Sequence, residues 1–511
     1  MFSMKRKISI LTKVILFIVI LGFLFSRVTY LFRLTSTSRD NITGLEQEEN
    51  LDVICIGAST LIEYYQPLVA WEQYGYTSYA YATVYGPIDF YYQYIDKVLQ
   101  THKPDLFVVD IRTLTTMTEE VLEPGVRYWA DSLPVFSKNR WISLYEYMQT
   151  HTLNDTDSLT SYYFDIAKYH NNTQVLGIPE QWKDIDNDNE SQYKGHELSA
   201  VHRFFDEPDA ETEKKGELSK RQADVLYNLL DYCKEQELEV LFVVCPYYIY
   251  EDEQEIYNAA ADIIASYGYE FLNANEHYSD MQLDFATDIK NVNHVNCLGA
   301  EKYTLFLGDY IKKSYEIENH KGDSSYAKWD EDSVLFRQEL DKQKELVYQT
   351  IEDKYAAVDL AKEMIKMEDA YEWSINAKNS NYTAIVCGNL DKSRVEEWNE
   401  EGRNLLEYWG IGNGNQKYFL QVSSGDAVSY TEDTDQSIDY YGNMGVTEGL
   451  APAQYEVHVD DNIRLIVEGT DYSLGNDGVN ILIFDNNFKK VVDSVILRLD
   501  KNDVVTMERE S

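Results

Sequence analysis

The stretch Asp52-Val53-Ile54-Cys55-Ile56-Gly57-Ala58-Ser59-Thr60 decides the fold. Leu51 to Ile56 is apolar except for Asp52, which marks a strand buried on both faces of a parallel sheet. It runs into a small-residue turn that presents a serine. The same grammar recurs downstream. Thr77 to Ala82 reads as a strand, Ile88 to Leu99 as a helix, and Leu106 to Ile111 as a buried strand introduced by Lys103-Pro104-Asp105. Between Thr113 and Gly216 the pattern loosens into short helical pieces and polar loops. It resumes over Leu218 to Cys233, where Val225, Leu226, Leu229, Leu230 and Cys233 form a helical stripe. A strand from Val240 to Cys245 is stopped by Pro246. A helix (Ile256 to Tyr267), a strand (Tyr269 to Leu272) and a closing helix (Gly299 to Lys312) follow. This alternation predicts an α/β fold with a doubly wound sheet, whose ligands bind outside the carboxyl ends of the strands. Ser59 and Asp110 both stand at such ends.

Far from Ser59 in sequence, Asn291-Val292-Asn293-His294 places a histidine just before a helix. A hydroxyl becomes a good nucleophile only when a positioned base takes its proton, so a Ser and a His on two loops of one α/β scaffold point to acyl transfer. The five cysteines are scattered, with no CxxC pair, which argues against a disulfide framework and against a zinc site. Cys55 and Cys245 lie inside apolar runs and read as core. No metal or organic cofactor is expected. Asp184-Ile185-Asp186-Asn187-Asp188 has the opening spacing of a calcium loop, but Asn189 stands where glycine is needed and Gly195 where a bidentate glutamate is needed. It reads as a solvated acidic loop. Gly410-Ile411-Gly412-Asn413-Gly414 precedes no helix and reads as a turn.

The 511 residues exceed one ordinary core, so two or three domains are expected. Hydrophobic residues at 44% and charged residues at 26% fit a globular protein. Lys and Arg number 45 against 88 Asp and Glu, a formal net charge of -43. That balance disfavours nucleic acid and anionic lipid as partners. The 42 tyrosines could stack on sugar rings, but they are spread along the whole chain, which favours their filling half-buried sheet surfaces and domain edges.

Lys5-Arg6-Lys7 precedes Ile8 to Ser26, in which Lys13 is the sole charge. Roughly 20 apolar residues span a bilayer as a helix. Lys13 and Arg27 can snorkel to the two interfaces, and Tyr30 and Phe32 are expected at the outer one. A cleaved signal peptide is the alternative. The flank Ser26-Arg27-Val28-Thr29-Tyr30-Leu31-Phe32-Arg33 offers no small-x-small cleavage site, which favours an uncleaved, single-pass signal anchor in the cell membrane with the bulk of the chain extracytoplasmic. Arg27, Arg33 and Arg39, beyond the span, weigh against that orientation. The expected organisation is a tip and anchor over 1–35, a stalk over 36–50, the α/β domain over 51–315, a charged helical linker over 316–350, and a β-rich α+β domain over 351–505. In the last, Tyr355 to Ala370 and Arg394 to Trp409 read as helices, the second behind a possible Asp391 cap. Tyr382 to Cys387, Tyr418 to Val422, Ile463 to Glu468, Val479 to Phe484 and Lys490 to Leu499 read as strands.

Gly57-Ala58-Ser59-Thr60, the Tyr85-Gly86 loop, the strand end Asp110-Ile111-Arg112, and His294-Val295-Asn296-Cys297-Leu298-Gly299-Ala300-Glu301-Lys302-Tyr303-Thr304 together resemble the SGNH/GDSL hydrolase superfamily. The likeness is to its membrane-anchored branch, kin to alginate O-acetyltransferase-like and D-alanyl-transfer proteins, and covers roughly Leu51 to Lys313. The resemblance implies a three-layer α/β/α, flavodoxin-like fold. It implies Ser59 as nucleophile, His294 as base, and an oxyanion hole made by the Ser59 N–H, Gly86 and a third-block Asn. It departs from the family twice. The family has Asp three residues before the histidine, and this chain has Asn291, so Asp288, with Asp284 behind it, is the substitute acid to consider. The third-block Asn is absent, and Asp110 and Arg112 stand near its place. Arg112 could serve the oxyanion or simply pair with Asp110. The implied activity is that of a serine esterase or O-acyltransferase on acylated cell-surface glycan. The alternative is a catalytically degenerate relative that binds glycan or serves surface-polysaccharide assembly.

Asn381 to Cys387, the helix ending at Tyr408-Trp409-Gly410, Val479 to Asp485 and Lys490 to Ser494 resemble the interleukin-like epithelial–mesenchymal inducer domain. That resemblance implies a small β-rich sandwich with helices, in some proteins a carbohydrate-binding stem. The alternative is a generic α+β appendage.

Overall fold

Valine, isoleucine and small residues at Val53–Gly57 form strand β1, and every one of the five is buried, so the strand is covered on both faces. It belongs to a computed structural model that describes residues 2–33, 37–117, 123–150, 159–177, 191–390, 395–411, 417–423, 425, 427–434, 436–445, 452–500, 502 and 504–509. The chain divides into two compact units. The first comprises 1–201 and 205–344, the second 202–204 and 345–511.

In the first unit β1 is joined by β2 (Ser78–Ala82), β3 (Leu106–Asp110), β4 (Val240–Val244) and β5 (Glu270–Asn273). All neighbours are parallel and the order is β2-β1-β3-β4-β5. The order reverses between β1 and β3, which opens a crevice at their carboxyl ends, the place where such sheets bind ligands. The helices are α1 (Phe2–Phe32), α2 (Thr37–Gly44), α3 (Ser59–Tyr64), α4 (Pro67–Tyr74), α5 (Tyr91–Leu99), α6 (Glu123–Ser132), α7 (Lys138–Thr150), α8 (Leu159–Tyr163), α9 (Ile166–Tyr169), α10 (Lys220–Glu235), α11 (Glu251–Ser266), α12 (Tyr278–Met281) and α13 (Cys297–Ser314). α13 packs on α3 and α4, while α5 packs on α10. A small hairpin, β6 (Ile289–Asn291) and β7 (His294–Val295), leads into α13. That helix starts two residues before the expected Gly299, because the Asn296 side chain accepts from Leu298 N (2.9 Å) and Gly299 N (3.5 Å) and so caps it. The five cysteines are free and buried.

Ile10–Phe32 of α1 is the one stretch among the described residues long and apolar enough to cross a membrane. Its far end packs into the protein. Thr29, Tyr30 and Leu31 are buried in the first unit, and Tyr30 lies under the Arg39 guanidinium at 3.3 Å. The expectation that Tyr30 sits at the outer interface is therefore corrected. Arg33 is fully buried. It pairs with Asp165 and donates to Asp131 O (2.7 Å) and Leu133 O (2.6 Å).

Helix α14 (Ala327–Met364) continues past the division at Lys344. The expected helix over Tyr355 to Ala370 is really its last turns plus a new start. α14 stops at Met364, and Asp369 caps α15 (Ala370–Ala377) by accepting from Tyr371 N and Glu372 N. The second unit adds α16 (Glu400–Tyr408) and the strands β8 (Tyr382–Asn389), β9 (Lys417–Ser423), β10 (Ala427–Thr434), β11 (Ile438–Met444), β12 (Ala453–Val459), β13 (Ile463–Val467), β14 (Thr470–Asp471), β15 (Val479–Asp485), β16 (Lys490–Leu499) and β17 (Val505–Arg509). They form two antiparallel sheets, β10-β9-β8-β15-β16-β17 and β11-β12-β13-β14. Alternation along β8 shows how they pack. Ile385 and Cys387 face Val457 and Leu465 of the smaller sheet, while Ala384 and Val386 join Trp373, Leu406 and Trp409 of the helical side. The calcium-like loop 184–189, Asp391 and Gly412 to Gly414 lie outside the described residues.

Candidate active site

Gly57 ends β1 at a crowded point. A Cβ there would stand 3.0 Å from Leu61 Cβ and 3.3 Å from Asp110 Cβ. Ala58 is extended, and Ser59 opens α3, so the Ser59 N–H is among the first-turn amides that no helical carbonyl satisfies. Thr60 Oγ1 donates to Asp110 Oδ2 at 2.8 Å. The other Asp110 oxygen accepts from Arg112 N (3.1 Å) and Cys245 N (3.3 Å). One buried carboxylate thus ties the serine turn to the ends of β3 and β4. Burial pushes its pKa up, and the hydroxyl and amide donors pull it back down. Asp110 is a positioning residue here, and it meets Arg112 through the backbone N–H.

The β6–β7 hairpin brings His294 over the same strand end. His294 Nε2 lies 3.1 Å from Ser59 Oγ, and His294 Nδ1 lies 3.1 Å from Asn291 Oδ1. The same Oδ1 accepts from Asn293 N at 2.9 Å. An N–H can only donate, so the atom it meets must be the amide oxygen, and Nδ1 facing that oxygen must carry the ring proton. Nε2 of the neutral ring then offers its lone pair to Ser59. Burial first, then the positive charges of Arg112 and Lys290, lower the His294 pKa to about 3. The imidazole is neutral at pH 7 and free to accept a proton.

Asp288 does not reach the imidazole. Its carboxylate accepts from Asp284 N (2.7 Å), Thr287 Oγ1 (2.8 Å) and Lys302 Nζ (2.6 Å), and its carbonyl accepts from Asn296 N (2.8 Å). It fastens the hairpin to α13, and the residue on the histidine is Asn291. Asp284 is turned to Ala286 N (2.8 Å). Gly86 is also corrected. A Cβ there would lie 2.9 Å from Gly57 O, so close approach explains the glycine, but its N–H donates to Thr83 O (3.0 Å) and is engaged within its own turn.

Arg112 is 7% exposed. Its guanidinium lies 3.9 Å from the centre of the Tyr247 ring, Nη2 donates to Asn293 Oδ1 (2.7 Å), and Nε has no protein partner. Two further groups escaped the sequence reading. Glu63 stands one helical turn after Ser59, with Oε1 4.0 Å from His294 Nε2 and Oε2 2.8 Å from Lys290 Nζ. Tyr64 donates to Asn293 O at 2.9 Å and supports the hairpin turn. The i, i+4 spacing of Ser59 and Glu63 was the available signal. Among the described residues no group of three His, Cys, Asp or Glu side chains is placed to hold a metal.

The chain matches no protein-family model and no curated protein.

Proposed function

We propose that the chain is an SGNH-type serine esterase or O-acyltransferase, acting outside the cell membrane on acylated surface glycan. The observation that carries the reading is the ordered contact Ser59–His294–Asn291, with the tautomer fixed from the Asn291 side. Ser59 Oγ attacks the ester carbonyl as its proton passes to Nε2. The oxyanion meets the Ser59 N–H at the start of α3, with the Arg112 charge close by. The imidazolium protonates the departing alkoxide and leaves an acyl-serine. Water or a sugar hydroxyl, deprotonated by the same nitrogen, then releases the acyl group. The glycan as substrate rests on the family resemblance alone. The outward orientation gains support from Arg33 and Arg39, which are buried in the first unit and so are not free flanking charges.

A second reading, a non-catalytic glycan-binding or assembly protein, is favoured by the engaged Gly86 N–H and by a neutral amide where the family has a carboxylate. A fluorophosphonate probe separates the two. Covalent labelling of the wild type that vanishes in Ser59→Ala is expected, and an unlabelled wild type or an equally labelled variant removes the nucleophile.

A further inference from the structure

Helix α1 changes from exposed to buried between Val28 (46% exposed) and Thr29 (1% exposed). The residues from Ile8 to Val28 rise about 31 Å, the thickness of a bilayer's hydrocarbon. On that scale Phe25 lies about 5 Å and Gly22 about 9 Å inside the outer boundary. Both positions meet protein. The Phe25 ring contacts the Phe164 ring (centroids 6.4 Å apart), and a Cβ on Gly22 would stand 4.0 Å from the tip of Phe136. Yet Phe136 is 63% and Phe164 48% exposed. Trp141 and Tyr145, neighbours on one face of α7, and Leu176 are also exposed, and Trp141 stacks on Tyr163 beside Phe164.

We infer that the helical module of residues 123–150 and 159–177 sits in the outer leaflet, with Phe136, Trp141, Tyr145 and Phe164 at the boundary of headgroups and acyl chains. The inference rests on the reading of α1 as a membrane anchor. Interfacial helices bury their apolar face about 5–10 Å, the depth at which Phe164 and Phe136 touch α1. Trp and Tyr are the residues that favour this zone. Charge agrees. The chain carries -43, but residues 123–150 hold three acids and three bases and residues 159–177 one of each. Over the whole stretch 123–177 six acids meet four bases, a milder balance than that of the chain, which suits a zwitterionic lipid surface. It also reaches the site. Gly125 of α6 packs against Tyr85 O, Tyr128 stacks on the Tyr85 ring, and Asp131 O, about 9 Å further along the helix, holds Arg33. The Tyr85-Gly86 loop is therefore held close to the bilayer, within reach of acyl donors that partition into it.

The five native cysteines are buried, so a nitroxide can be attached selectively to Phe136→Cys, Phe164→Cys, Val19→Cys or Tyr227→Cys of the full chain in phosphatidylcholine nanodiscs. Oxygen should outcompete an aqueous nickel chelate as relaxant at 136, 164 and 19, with the reverse at 227, and added salt should change nothing. In the unsubstituted chain, dibrominated lipid should quench a part of the tryptophan emission that Trp141→Phe removes. Labels at 136 and 164 as wet as at 227, with 19 still dry, overturn the inference and leave the anchor standing. A wet label at 19 overturns both.

Discussion

At the residue scale the chemistry turns on an imidazole that is kept neutral. Burial and two nearby cations lower His294 to about 3; Asn291 brings no charge to oppose them, and the Glu63 carboxylate, 4.0 Å from Nε2, is engaged by Lys290. A base that weak pulls less strongly on a hydroxyl than one tuned near the working pH. Phosphonylation of Ser59 should therefore be slow and flat from pH 8 to 5, with an acid limb near 3 to 4 instead of 6.5. Asn291→Asp should raise the histidine pKa, shift the limb to higher pH and speed labelling. The gain should fall well short of the ~10⁴ that a carboxylate is worth where its loss also flips the tautomer, since the tautomer here is already the productive one. Asn291→Ala should slow labelling, because both Nδ1–H and the Asn293 N–H lose their acceptor. A pH–rate profile of the three proteins checks all of this. The sequence made Ser59 and His294 legible as a pair because both sit where strand ends open. It did not reveal which acceptor holds Nδ1, since Asp288 and Asn291 differ only in which way a two-strand hairpin turns them. Nor did it show that the Gly86 N–H is engaged, which depends on a turn through Tyr85 at φ 53.

At the element scale, strands buried on two sides were the plainest to read. β1, β3, β4, β8 and β15 carry unbroken apolar runs. β11 does not: Asp439 to Asn443 are polar, aromatic or glycine, and only its pairing to β12 reveals it as a strand. The same holds for polar contacts between distant elements. Arg33 and Arg140 converge on Asp165, and all three are buried. Removing one partner of a buried ionic group strands charge in a low dielectric, so Asp165→Asn should destabilise the first unit by about 3–5 kcal/mol. Thermal unfolding in detergent and faster proteolysis within 159–177 would report it. Gly308 gives a subtler case inside α13. Alanine there should gain about 1 kcal/mol of helix propensity. But its Cβ would collide with the ring of Tyr74, whose hydroxyl is pinned by Leu305 O (2.6 Å) and Asp309 Oδ1 (2.9 Å). Overpacking of 1–3 kcal/mol should win, so Gly308→Ala is expected to lower the midpoint of denaturant unfolding (about 1 kcal/mol net).

At the scale of the whole molecule, the histidines of the two units should respond to acid in opposite senses. Burial lowers His196 to about 3, and the backbone of Ile62 and Tyr65 pulls it back only in part. With His294, the first unit holds two histidines that stay neutral while their unfolded counterparts, near 6.5, bind protons as pH falls. Where the unfolded state binds more protons, stability rises with pH. Each histidine therefore costs the first unit about 1.4 kcal/mol per pH unit as pH drops from 6.5 toward 3. In the second unit His458 is raised, first by its bond to Asp439, so its contribution is present below 6.5 and fades as pH rises through its folded value. It is mostly solvated, and that term is small. Buried carboxyls such as Glu48 and Asp110, raised by burial, act against the two neutral histidines at lower pH. A difference measurement isolates the histidine term. His196→Leu, which removes the buried imidazole edge-on to Phe336, should flatten the first unit's loss of stability between pH 6.5 and 5 by up to about 1.4 kcal/mol per unit. Hydrogen exchange at both pH values, read separately on the strands of each unit, decides it. An unchanged slope in the first unit would mean that His196 is protonated in the fold.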